Sequence, residues 1–260
     1  DFEDAMPRMP YHTEIKIQDY ADLKDADVAI TAFGDIQASV RTGNRFAEFE
    51  INSKNAVEVG RKLKEAGFNG VLINISNPCD AITTILQQET GLPRNRVFGT
   101  GTFLDTARMQ HVVGDYLHQD SRNIDGYVLG EHGNSQFNAW STVRANNKPI
   151  TEILSQAELE ALDSKPSEGA WTVASGKGYT SYAIATCGVR LAQAVMSNAK
   201  LFAPASVYVE ALGTYIGYPA IIGAEGAEEV VELKLNAKEE EQLARSVQYI
   251  KDHVAQLGKD

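Results

Sequence analysis

The apolar residues of this chain fall into two regimes that meet near residue 98. Val28-Ala-Ile-Thr-Ala-Phe33 is an almost unbroken apolar run, the pattern of a strand buried on both faces of a parallel sheet. Val71-Leu-Ile-Asn-Ile75 repeats it. Between them Phe46, Phe49, Ala56, Gly60 and Leu63 mark one face of a long helix that Gly67 ends. Pro78 opens a further helix at its first turn, where its missing N–H would have had no intrahelical partner. Thr13 to Gln18 alternates enough to predict a short strand, and the polar stretch Asp35 to Asn44 reads as a loop. Strands alternating with helices predict an α/β domain with a parallel sheet over residues 1–98.

Beyond residue 98 the alternation is lost. A helix is predicted from Phe103 to Leu117, then strands around Tyr127–Leu129 and Phe137–Val143 in hairpin-like succession. The polar segment from Thr151 to Gly176 predicts a short helix. A long helix from Tyr179 carries Ile184, Cys187, Leu191 and Val195 on one stripe. Three short strands follow near Val207, Ala220 and Val230. Asn236 with Glu239 caps the last helix, whose apolar face is Leu243, Val247, Ile250, Val254 and Leu257. Residues 99–260 thus read as a second, mixed α/β domain.

Composition narrows the classes. The chain has 260 residues, 43% of them apolar, ample for packed cores. A formal charge of −11 argues against a nucleic-acid partner or an anionic membrane surface. No run of 18 apolar residues occurs, and Cys79 and Cys187 stand far apart without metal-ligand spacing. A soluble cytoplasmic protein with reduced thiols is the expectation. His111 and His118, with Asp115 between them, read as a solvated helix face, so no metal site is expected.

The chemistry concentrates in Gly130-Glu131-His132-Gly133-Asn134. A histidine between glycines sits where backbone and ligand approach closely, and histidine is the side chain that titrates nearest neutrality. Upstream, Asp105 and Arg108 stand three apart, on one face of the predicted helix. A base, a carboxylate to orient it and a guanidinium to grip a carboxylate form a coherent set. Each also has a plainer reading. Thr102 with Asp105 fits a capping box, Arg108 fits a surface ion pair, and His132 fits a turn.

Gly-Thr-Gly-Thr-Phe-Leu-Asp-Thr-Ala-Arg (99–108) followed by Leu-Gly-Glu-His-Gly-Asn-Ser (129–135) resembles the lactate/malate dehydrogenase family. Ile75-Ser-Asn-Pro78 and Lys177-Gly-Tyr-Thr-Ser-Tyr182 add to the likeness, which extends over essentially the whole chain. Within the family, His132 to Phe137 is most similar to L-2-hydroxyisocaproate dehydrogenases. The resemblance implies a Rossmann-type doubly wound parallel sheet, NAD as cofactor, a small 2-hydroxy or 2-oxo acid as substrate, and a homodimer or homotetramer. Asp1 to Met6 resembles a stretch that follows the first two strands of that fold. The Gly-x-Gly-x-x-Gly turn and the acidic ribose-binding residue do not occur in the sequence. The expectation is therefore an N-terminally incomplete sheet, short by about 50 residues, in a chain that as it stands fails to bind NADH and folds poorly.

Carried over by resemblance, His132 is the acid/base, Asp105 its orienting partner and Arg108 the substrate-carboxylate clamp. Arg45 polarises the reacting carbonyl from a closing loop with Gly34 and Gly43 as hinges. Asn77 falls at the nicotinamide ribose and substrate, Gly34 and Thr100 beside the cofactor, and Thr180 and Ile184 along the substrate pocket and nicotinamide face. Gln37 falls where lactate dehydrogenases carry glutamine and malate dehydrogenases arginine, which speaks against malate. The loop is longer than the usual lactate pattern, and Arg41 within it keeps malate open. A longer loop without a clear counter-charge favours a roomier, apolar pocket and a broad L-2-hydroxy acid range, with lactate second. Gln110 and Asp125 stand where allosteric relatives bind fructose 1,6-bisphosphate, and an aspartate there repels phosphate. Two other classes stay open: an NAD-using glycoside hydrolase, which needs a cysteine–histidine metal site near Cys79, and a non-catalytic fragment.

Overall fold

The computed structural model describes residues 2–17, 19–42 and 45–255, without the side chains of residues 2, 36, 40 and 45. Gln18, Gly43, Asn44 and Leu257 lie outside the described residues. In chain order, α1 (Phe2–Ala5) precedes an irregular stretch, and then β1 (Val28–Thr31), α2 (Ile36–Thr42), α3 (Phe49–Ala66), β2 (Val71–Asn74), α4 (Cys79–Thr90) and β3 (Val97–Gly99) follow. Next come α5 (Phe103–Tyr116) and the short strands β4 (Ile124–Asp125), β5 (Val128–Leu129), β6 (Phe137–Asn138), β7 (Arg144–Ala145) and β8 (Lys148–Pro149). Helices α6 (Gln156–Leu162), α7 (Lys165–Lys177) and α8 (Tyr182–Met196) lead to β9 (Leu201–Val209), β10 (Thr214–Gly223), β11 (Gly226–Val230) and α9 (Ala237–Val254).

The fold is α/β, built on a six-stranded sheet of order β1-β2-β3-β9-β10-β11. Strands β1, β2 and β3 run parallel, and β9 to β11 extend the sheet antiparallel. Both faces of β2 are covered, which explains its apolar run, while β1 at the edge of the sheet leaves Ile30 41% exposed. Leu72 packs with Ala56, Leu63, Ile82 and Leu86 beneath α3 and α4. Its neighbours Val71 and Ile73 point the other way, onto Leu191 and Val195 of α8 and Phe98 of β3. The sheet is continuous because Gly99 pairs with Ser206 across β3 and β9. Gly101, at φ +50°, makes the turn into α5 directly against β9, where a Cβ would collide with the Ser206 backbone nitrogen.

Several elements differ from the sequence reading. Residues 13–17 form no strand. Ile17 is 76% exposed there, and no described strand pairs with the segment, so alternation alone leaves its backbone groups to water. The polar stretch after Gly34 holds a helix, α2, and Thr151–Gly176 holds two, α6 and α7. The strands expected near Val207 and Ala220 are long, and together with β11 they join the parallel strands in one sheet. Thr102 makes no capping bond to α5, which removes the capping-box account of Asp105.

The capping box of α9 is present in full, with Asn236 accepting from the Glu239 N–H and Glu239 accepting from the Asn236 N–H. Glu239 also accepts from the backbone N–H and hydroxyl of Ser141, tying α9 to the turn after β6. Asn236→Ala should lower the urea midpoint by the equivalent of about 1 kcal/mol. An unchanged midpoint would show that this cap does not hold the helix.

Candidate active site

The parallel strands end on a layer of side-chain hydrogen bonds that shapes one wall of a cavity. Asn74, fully buried, accepts from the Thr31 hydroxyl and the Ser76 N–H and donates to the Ser76 and Cys79 carbonyls. The Ser76 hydroxyl in turn accepts from the Phe33 N–H. These bonds lock the segments after β1 and β2 together at their C-terminal ends, where parallel α/β sheets place ligands. From α3, Asn52 donates to the Asn77 carbonyl (2.6 Å) and to the Glu48 carboxylate (3.2 Å).

The cavity beside this wall holds about 310 Å³. Of the residues singled out in the sequence, Gly34, Asn77, Thr100, Arg108, His132, Thr180 and Ile184 line it. Glu48, not foreseen, lines it too. Gln37 does not line it; its side chain is exposed and donates to the Gly178 carbonyl at 3.1 Å, fastening α2 to the end of α7. Arg41 is also exposed and outside the lining. Arg45 begins a 3-10 turn (Arg45–Glu48) ahead of α3, and its side chain lies outside the described residues.

Asp105 projects from the first turn of α5 and is 1% exposed. Its Oδ2 lies 2.5 Å from His132 Nδ1, and its Oδ1 accepts from Arg108 Nη1 at 2.8 Å. One carboxylate therefore engages both other members of the expected set. Helix α5 is held beneath the histidine turn by Met109 and Val113, packed against Val128, and by the Val128 N–H donating to the Thr106 hydroxyl. Arg108 is only 16% exposed, so the surface ion-pair reading does not fit it.

His132 is 7% exposed, in a turn gripped from two sides. On one side, the Ser246 hydroxyl of α9 accepts from the Glu131 N–H at 2.6 Å, and the Glu131 carboxylate accepts from the Asn134 and Ser135 N–H groups. On the other, the His132 N–H donates to Asp80 Oδ2 (2.8 Å), whose Oδ1 accepts from the Ser206 hydroxyl (2.5 Å). Burial pushes the Asp80 carboxyl up to about 7, with the Glu131 charge adding to the shift, against the pull of the Ser206 hydroxyl and the His132 N–H. Asp80 escaped the sequence reading because an acidic residue in a helix's first turn is an ordinary preference. Ser206 and Ser246 carried no local signal at all.

Cys79 lies behind this layer, its sulfur 3.4 Å from the Gly101 N–H, and burial pushes its thiol up to about 12. That disfavours the thiolate a metal would need, and among the described residues no cluster of three or more His, Cys, Asp or Glu is placed to hold a metal ion. Among them, too, no helix is long and apolar enough to cross a membrane.

NAD fits at its nicotinamide end. Asn77, Thr100, Leu104 and Ile184 give the cavity polar groups beside an apolar face next to His132. Comparison with known proteins agrees with the geometry. Residues 1–99 match the lactate/malate dehydrogenase NAD binding domain, and residues 102–259 match the alpha/beta C-terminal domain of the same family. L-lactate dehydrogenase 1 of Listeria monocytogenes is 35% identical over 260 residues, covering 96% of this chain and 82% of its own length. The ligand-bound structure of the minor L-lactate dehydrogenase from Enterococcus mundtii superposes with a TM-score of 0.91 at 29% identity, over 99% of this chain and 84% of that one. A lactate dehydrogenase from a Medee basin deep-sea metagenome library gives 0.90 at 33% identity, over 97% and 83%. The chain belongs to the lactate/malate dehydrogenase family, whose cofactor is NAD.

Proposed function

We propose that this protein interconverts L-2-hydroxy acids and 2-oxo acids with NAD, His132 serving as the acid/base. The observation that carries the reading is the shared carboxylate of Asp105, bonded to His132 Nδ1 and to Arg108 at the wall of one cavity. Asn77, Thr100 and Ile184 would hold the nicotinamide, which when bound would accept the hydride as NAD+ or supply it as NADH. In the oxidising direction His132 takes the substrate hydroxyl proton at Nε2, and in the reducing direction it returns that proton to the carbonyl oxygen. Asp105 keeps the proton on Nδ1 and stabilises the imidazolium, as a carboxylate does in a serine-protease triad. Arg108 holds the substrate carboxylate through its planar guanidinium, a fixed grip that sets the reacting carbon against His132. Arg45, by likeness to the family, polarises the reacting carbonyl.

His132→Asn should leave NADH affinity unchanged and lower turnover by roughly two to four orders of magnitude. A loss below tenfold would make His132 a turn residue and end this mechanism.

Within this chemistry we infer a broad preference for apolar side chains, of the L-2-hydroxyisocaproate type. Apart from His132, Arg108 is the cation lining the cavity among the described residues, and Glu48 sets a carboxylate on the same wall. Among the described residues of the lining a dicarboxylate finds no second clamp. L-lactate is the second reading, favoured by relatives that are named L-lactate dehydrogenases. Each further buried methylene contributes about 0.8 kcal/mol, so 2-oxoisocaproate should match or exceed pyruvate in kcat/KM. Oxaloacetate should be turned over least. Fructose 1,6-bisphosphate should leave all three rates unchanged, since the Gln110 amide is engaged on the Ile124 carbonyl. Oxaloacetate as the best substrate would overturn the inferred preference, and pyruvate well ahead of 2-oxoisocaproate would favour lactate.

A further inference from the structure

We propose that Asp80 is a positioning residue for His132, its carboxyl group fixing the backbone of the histidine turn while Asp105 fixes the ring. This rests on the reading of His132 as the acid/base. A histidine delivers a proton along the direction of its Nε2, and two attachments set that direction. The ring bond from Nδ1 to Asp105 fixes rotation about the side chain, but it leaves the position of the Cα to the backbone. His132 lies in a two-glycine turn: Gly130, at φ +98°, precedes it by two residues and Gly133 follows it directly. Left to itself, such a turn is the most permissive backbone available.

The backbone is instead held by a group distant in sequence. The His132 N–H donates to Asp80 Oδ2, 52 residues away. Asp80 cannot rotate off that bond cheaply, because its Oδ1 takes the hydroxyl of Ser206, 126 residues further along. Asp80 is 1% exposed and Ser206 is fully buried, so neither has water to replace a lost partner. Ser206 is itself fixed in the sheet opposite Gly99. The central sheet, the first turn of α4 and the catalytic turn are thereby joined by one carboxyl group. The charged and titratable groups around it are Glu131 and His132 in the turn, Cys79 beside it on α4, and Asp105 across the ring on α5. None of the groups named around it is a lysine or arginine.

The planar end group of Asp80 is what reaches the turn and the sheet together. A carboxyl offers two acceptor oxygens at fixed separation, one for the N–H of His132 and one for Ser206.

The test compares Asp80→Ala, Asp80→Asn and Ser206→Ala in the full chain, with kcat, KM for the 2-oxo acid and NADH affinity corrected for folded fraction. Misplacing a catalytic group by an ångström lowers rate on the order of 100-fold, so Asp80→Ala should lose roughly 10- to 100-fold in kcat with KM and NADH affinity within about twofold. Asp80→Asn, whose amide oxygen still accepts from the His132 N–H, should keep kcat within about threefold of the parent. If Asp80→Ala does not fold, Ser206→Ala decides, with an expected kcat loss of roughly threefold to tenfold. A kcat unchanged in the deciding variant overturns the proposal, and so does an equal loss in Asp80→Asn and Asp80→Ala. The proton NMR signal of His132 Nδ1–H, held in the bond to Asp105, reads the same positioning without turnover. It should persist in Asp80→Asn and be lost or shifted in the deciding variant. If the parent protein reduces no 2-oxo acid, the acid/base reading fails by itself, and the NMR comparison alone judges whether Asp80 positions the ring.

Discussion

A buried carboxylate must be met by donors or it takes up a proton, and Asp105 meets that demand with the imidazole of His132 and the guanidinium of Arg108. Its Oδ2 faces His132 and its Oδ1 faces Arg108, so one anion is compensated by an imidazole on one side and a guanidinium on the other. The placements of the three side chains therefore depend on one another. Removing either partner would take one charged or polar contact from a carboxyl group that is 1% exposed, with no water to replace it. The rest of the structure serves to bring α5 and the 130–135 turn together closely enough for this pairing. Met109 and Val113 pack against Val128, and the Val128 N–H is bound to Thr106, which fixes helix and turn in register.

The turn that carries His132 is then held from two sides. Ser246 on α9 takes the Glu131 N–H, while Asp80 on α4 takes the next N–H along. Helix α9 is anchored in its turn by its capping box and by the bonds from Glu239 to Ser141. A flexible Gly-x-x-Gly turn is thus made rigid by polar side chains on well-packed elements. This is the arrangement that reconciles close approach to substrate with exact placement of a ring.

The site was legible in the sequence where its residues lie together in local motifs. His132 between glycines and Asp105 three residues before Arg108 stand out because their spacing alone suggests one helix face and one turn. Asp80, Ser206 and Ser246 were not legible, since they join the site through contacts spanning 52, 126 and 115 residues that no local pattern encodes. Strands β1 and β2 were legible from their continuous apolar runs, which burial on both faces explains for β2. The helix α2 was not, because its seven residues are too few to show a helical period and their apolar positions, 36, 38 and 40, are spaced two apart. Residues 13–17 show the opposite failure: an alternating pattern that has no described neighbour to pair with.

The central claim is that one proton passes through His132 in both directions of the reaction. Because a proton is itself a reactant, the ratio of forward to reverse kcat/KM must change about tenfold per pH unit whatever the mechanism. The informative measurement is how that dependence divides between 2-oxo acid reduction and 2-hydroxy acid oxidation from about pH 5 to 9. The account predicts that reduction is level at low pH and falls above a break, while oxidation is level at high pH and falls below the same break. One direction carrying the whole slope across the range, with no shared break, would contradict it.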